Sequence, residues 1–201
     1  SLRNRIYHDE MTPEQMVEVI DSGTDYYGDA AYHLGMHHWL EGSDNEALNY
    51  FFKASSQCHF DASKALLEYQ EHHHVSPILG HMPRYICALN GDVSAKDKIE
   101  KLAQEGDSDS RNYMAYFKLF GLAGVKQDVA EAIKLLKINA DLKDVHALLL
   151  LESLYTHQHG VNFCHTDIQD KDIDQYRRYL LAHGSYQAFS YYASRQDEVM
   201  S

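Results

Sequence analysis

Residues 28–55, GDAAYHLGMHHWLEGSDNEALNYFFKAS, constrain the fold more than any other stretch of the chain. On a helix, Ala31, Leu34, Gly35 and His38 share one face. Gly42 then turns the chain, and Ala47, Phe51 and Ala54 share a face of a second helix. Small residues stand where two helices must cross closely, and large ones stand where the gap must be filled. This is the pattern of a helical hairpin made to stack on further hairpins. Strand-like alternation is scarce elsewhere, only three prolines occur, and Ala, Leu, Lys and Glu dominate the periodic segments. An all-α fold is expected.

The remaining punctuation extends that pattern. Residues 1–10 are expected to be a poorly ordered lead-in. Thr12, Pro13 and Gln15 have the spacing of a capping box with proline at the first helical position, and Gly23 closes that helix. A helix over about 29–41 is followed by one from Asp44 to about Gln57 and one starting near Asp61. Pro77 and Pro83 interrupt the chain beyond it, so 72–83 is expected to be an irregular insert. RYICALNG closes at Gly91, and SAKDKIEKLAQEG opens with a Ser94–Asp97 capping pair and stops at Gly106. In the second half, helices are expected to end at Gly124, Gly160 and Gly184, with SYQAFSYYASRQ as the last. Gly42, Gly91, Gly124 and Gly160 each close the first helix of a pair, at separations of 49, 33 and 36 residues. Two of these lie near the two-helix repeat length of roughly 34 to 45. Asp44, Asp92, Asp128 and Asp170 come after the four glycines as caps for the second helices.

These residues give the chain a resemblance to the Sel-1-like repeat family, α/α solenoids related to tetratricopeptide repeats. Leu34-Gly35 correspond to the family's Leu-Gly pair. Gly124-Val125, Asp128 and Glu131-Ala132 correspond to its turn and second-helix start, and Gly160-Val161 repeat the turn. LAQEG at 102–106 and LLAHG at 180–184 resemble its closing motif. His38 stands where an aromatic is usual, and Ala115-Tyr116 replace the Leu-Gly pair in the third hairpin. The resemblance spans residues 11–195. It implies a single repeat domain, an α/α superhelical solenoid of about four helix-turn-helix units, and a protein-binding role on the concave face.

The chain of 201 residues carries a net charge of −12. Phosphate backbones and anionic membrane surfaces demand clustered Lys and Arg, so neither nucleic acid nor membrane is an expected partner. A basic protein or peptide is. The longest apolar run, HALLLLESLY, is too short to span a bilayer. Cys58, Cys87 and Cys164 are odd in number and form no C-x-x-C, which fits a reducing compartment. SLRNRIYHDE lacks the apolar core of a secretory leader, so a cytoplasmic location is expected, with removal of an upstream segment left open.

Fourteen histidines raise the question of metal. His33 and His37 are four apart on one helix, but no acid or cysteine at fixed spacing completes a ligand set. HHH at 72–74 lies beside the expected insert. No G-x-S-x-G, H-E-x-x-H or glycine-rich phosphate loop is present, so no enzyme activity and no cofactor are expected. Cys58 beside His59 is not evidence of a catalytic pair, because such pairs meet in space. The unusual count is tyrosine, fifteen against one tryptophan and seven phenylalanines. Tyr32, Met36, Trp39 and Leu40 form a stripe beside the packing face. Tyr113, Phe117 and Phe120 form its equivalent in the third repeat. In a solenoid of the resembled family these line the concave face, with Asp29 and Asp109 as acidic rim residues. The expected function is a non-enzymatic adaptor binding a protein or peptide there. The alternatives are an immunity-type inhibitor capping a basic effector, and a metal-binding or catalytic protein using its histidines. Tyr186, Phe189 and Tyr192 of the last helix offer a patch for a weak homodimer.

Overall fold

The computed structural model describes residues 2–7, 10–73, 81–156 and 168–183, and every regular element among them is a helix. In chain order they are α1 (Leu2–Tyr7), α2 (Pro13–Asp21), α3 (Asp29–Leu40), α4 (Asp44–Ser56), α5 (Phe60–His73), α6 (His81–Leu89), α7 (Val93–Gln104), α8 (Ser108–Phe120), α9 (Val129–Asp141), α10 (Val145–Tyr155) and α11 (Asp170–Ala182). The chain falls into two compact units, residues 1–98 and 99–201, where the sequence pattern points to one domain over 11–195.

In the first unit, consecutive helices pack on one another: α2 on α3, α3 on α4, α4 on α5 and α5 on α6. The closest approach is between α3 and α4. A Cβ placed on Gly35 would fall 2.6 Å from the Phe51 ring, so only glycine fits there unless the ring moves. Phe51 is fully buried in a cluster with Ala31, Ala47, Ala54, Ala62 and Leu66. His38 stacks on Tyr50 of α4, with ring centroids 5.4 Å apart and the planes 5° apart. The packing face of the hairpin is therefore the one that the residue spacing marks.

The start of α3 has an unusual cap. Gly28 sits at the N-cap with φ of 75° and offers no side chain. Asp25 supplies the acceptor instead, taking the N–H groups of Ala30 and Ala31 at 3.1 and 2.9 Å. Gly28 also touches the α4 backbone, where an added Cβ would meet Ala54 Cα and O at 2.8 Å.

In the second unit α8 packs on α9, α9 on α10 and α10 on α11. Ala115, Leu119, Ala132, Ile133, Leu136, Leu148, Leu151 and Leu154 form the centre of its core. A polar network ties the ends of three helices together. Asn139, fully buried, donates to Ser108 O at 2.8 Å and Asn112 Oδ1 at 2.6 Å, and accepts from Arg111 at 2.6 Å. Asn112 in turn donates to Asp144, which caps α10 through the Ala147 N–H. Glu152, also fully buried, is held by the Nε and Nη2 atoms of Arg177 at 3.2 and 2.9 Å, fastening α11 to α10.

Several boundaries differ from expectation. Residues 2–7 form α1, and Ile6 is buried against Met11 and Ala30, so the lead-in contributes to the core. The expected insert is narrower, because α5 continues to His73 and α6 begins at His81 with Pro83 in its first turn. The side chain that takes the Ala95 N–H at the start of α7 belongs to Asp92 and not to Ser94. Ser43 and Gln169 precede α4 and α11, leaving Asp44 and Asp170 in the first turns. Gly121, in the left-handed conformation, ends α8 three residues before Gly124. The capping box at Thr12 and Gln15 and the Asp128 cap form as expected. Gly160, Cys164, Gly184 and the SYQAFSYYASRQ segment lie outside the described residues.

Candidate functional site

The largely apolar groove of the first unit is built by α3, α4 and α5. It encloses about 370 Å³ and is lined by Met36, Trp39, Phe51, Ala65, Tyr69 and the rim residues Glu68, His72 and His73. Trp39 forms its centre. Its ring lies 5.8 Å from Phe51 and meets Tyr69 edge to face at 5.7 Å with planes 81° apart. The two exposed histidines each bond back to their own helix. His72 Nδ1 lies 2.7 Å from Glu68 O and His73 Nδ1 lies 3.0 Å from Tyr69 O. A carbonyl can only accept, so each Nδ1 donates. His73 also stacks on Tyr69 with centroids 4.0 Å apart.

The expected stripe therefore divides. Met36 and Trp39 line the groove. Tyr32, half-buried, turns instead to His59, stacking on it at 4.6 Å. Leu40 is 81% exposed at the end of α3 and does not line the groove. In the second unit Tyr113 and Phe120 are half-buried, and Phe120 packs on the core beside Tyr116. Phe117 is fully buried and offers no surface to a partner, which corrects its assignment as a contact residue. The spacing of α5 carried a usable signal that the stripe did not include: Ala65 and Tyr69 are four apart and form the far wall.

A second cavity, about 580 Å³, opens beside the start of α3 and is lined by Arg3, Tyr26, Tyr27, Asp29, Cys58 and His59 among others. Asp29 is not the rim residue that its position implied. It is 3% exposed, with its Oδ1 atom 3.2 Å from Arg3 Nε and 3.5 Å from His59 Nε2. The Cys58-His59-Asp29 arrangement has the composition of a nucleophile, base and orienter but not the connectivity. His59 Nδ1 accepts the Ala62 N–H at 3.2 Å and so caps α5, while Nε2 faces Asp29. Neither ring nitrogen is left to take a proton from Cys58. Burial lowers the His59 pKa, against the opposing pull of Asp29, and so favours this neutral form.

His33 and His37 do share a helix face, but His37 Nε2 pairs with Glu41 at 3.2 Å. Among the described residues no group of three or more His, Cys, Asp or Glu side chains is placed to hold a metal ion. No helix among them is long and apolar enough to cross a membrane. Comparison with known proteins returns no match: no protein-family model, no curated protein and no solved structure matches the chain.

Proposed function

We propose that this protein is a non-enzymatic binding module that takes an apolar or aromatic side chain of a partner protein into the Trp39 groove. The observation that carries the proposal is the groove itself. Three helices hold Met36, Trp39, Phe51 and Tyr69 around an open apolar volume of about 370 Å³. Aromatic anchors of this type dominate interface energies. The partner segment is basic beside its anchor, because Glu68 stands at the groove and the chain carries a net charge of −12. Within this proposal the α3–α4 and α8–α9 hairpins are units of an α/α solenoid of about four Sel-1-like repeats, acting in a reducing, cytoplasmic setting. The free thiols of Cys58 and Cys87 are in keeping with that setting.

Selection from a random-peptide display library tests the proposal. The expected winners carry a large apolar residue next to Lys or Arg, bind more weakly to Met36→Ala and Glu68→Lys, and lose affinity as salt rises. A tight complex with a folded basic protein, showing steeper salt dependence than any peptide, would favour an inhibitor acting through the same face. Winners that bind both variants as well as the parent would place the site elsewhere.

A further inference from the structure

The Trp39 groove joins two features that a purely apolar anchor does not use together. Its walls are aromatic, and the one carboxylate among the described residues that line it, Glu68, stands exposed on the rim. No Lys or Arg among the described residues lines it. Trp39 and Tyr69 meet with their planes 81° apart and their centroids 5.7 Å apart, so they form two walls of a corner rather than a flat shelf. His73 stacks on Tyr69 at 4.0 Å and holds that ring. Both rim histidines turn Nδ1 back to a carbonyl of their own helix, at Glu68 and Tyr69. Met36 adds a polarizable thioether to the lining.

These groups discriminate among anchors. The negative face of an aromatic ring attracts a cation, and tryptophan does so most strongly. A carboxylate beside the rings adds to that attraction. A neutral aliphatic anchor uses the apolar walls and leaves the carboxylate and the ring faces without a counter-charge. An unmodified lysine ammonium carries the charge, but it is strongly hydrated and brings three N–H donors. Glu68 is the one carboxylate there to receive them, and donors taken out of water without acceptors are costly. A guanidinium brings five donors to the same shortage. A quaternary ammonium has the charge and no N–H. Its methyl groups meet the apolar walls while its charge meets the rings and Glu68. The volume of about 370 Å³ lies at the small end of the range for ligand pockets, the scale of one such head group.

We propose that the groove takes a trimethylated lysine of the partner, with the quaternary nitrogen in the Trp39–Tyr69 corner and Glu68 beside it. This rests on the reading of the groove as the binding site, and it puts the apolar anchor and its positive charge into one side chain. The test is a titration of Trp39 fluorescence with a peptide selected on the groove. Its anchor is replaced in turn by lysine, arginine, trimethyllysine and the uncharged analogue in which carbon takes the place of the quaternary nitrogen. The trimethyllysine peptide should bind at least about tenfold more tightly than the other three, a difference of about 1.4 kcal/mol. Glu68→Gln should weaken that peptide and leave the uncharged analogue unaffected. Glu68 is exposed, so the variant's melting curve should match the parent's. Tetramethylammonium chloride should displace the trimethyllysine peptide, and ammonium chloride at the same ionic strength should not. Equal affinity for trimethyllysine and its uncharged analogue would overturn the proposal, as would lysine or arginine binding as tightly. A selected peptide that binds while its trimethyllysine form does not would overturn this inference alone. Failure of every peptide to bind at the groove would overturn the reading of the groove with it.

Discussion

Replacing Gly35 by Ala should destabilise the protein, although helix propensity alone points the other way. In a helix interior alanine is favoured over glycine by about 1 kcal/mol. Against this, the new methyl group would lie 2.6 Å from Phe51 Cδ1 and Cε1 and 3.3 Å from Ala47 O. Carbon atoms pack best at about 3.5–4.0 Å, so the ring must retreat by about 1 Å. The Tyr32 and Trp39 rings, 6.0 and 5.8 Å away, resist that movement, and the groove that Phe51 lines is the one open direction. Overpacking of this kind costs about 1–3 kcal/mol, and the clash is severe enough to place it in the upper half of that range. The net loss is about 1–2 kcal/mol, a fall in Tm of roughly 2–8 °C if the whole chain unfolds together and roughly 4–16 °C if the first unit unfolds alone. Urea unfolding followed by circular dichroism measures it. In a Phe51→Leu background the same substitution should be neutral or stabilising. A Gly35→Ala protein more stable than the parent by about 1 kcal/mol would refute the close α3–α4 crossing.

Three further outcomes arise from buried polar and titratable groups. Arg177→Ala removes a counter-charge from the fully buried Glu152 and should cost about 1–3 kcal/mol, reduced from the fully buried case because Arg177 is 37% exposed; Glu152→Gln should cost less, and equal losses would contradict a charge-based pairing. Because burial holds the His59 pKa below its ordinary 6.5, the unfolded chain binds the proton first, and stability should fall as pH drops below about 6.5. A His59→Gln variant should lose less between about pH 7.5 and 5.5, and an unchanged slope would exclude His59 as a contributor. Burial pushes the Cys87 thiol up to about 11, so mass-mapped alkylation near neutral pH should modify the exposed Cys58 quickly and Cys87 only on unfolding.

The hairpin was legible because its signals are local. Gly35 and Phe51 announce a close crossing by size alone, and the Thr12 and Asp128 caps depend on residues three positions apart. Asp29 was not legible. An acid in a first turn normally faces solvent near the helix dipole, and its burial depends on Arg3 and His59, which are distant in sequence. Ile6 was missed for a similar reason: a short segment without periodicity becomes ordered only against Met11 and Ala30. For the groove, the stripe on α3 supplied Met36 and Trp39. The second wall required knowing that α5 returns to α4, which brings Tyr69 to Trp39. Phe117 shows the limit of transferring a stripe from one hairpin to another, since equivalent helical positions do not have equivalent exposure.

Trp39 is the one tryptophan in the chain, so its emission reports the groove and nothing else. The most direct test of the binding role is a fluorescence titration with a selected peptide carrying an apolar anchor and a basic neighbour. A saturable blue shift is expected as the anchor displaces water from Trp39, with affinity reduced in Met36→Ala and Glu68→Lys. Tight binding that leaves Trp39 emission unchanged would contradict it.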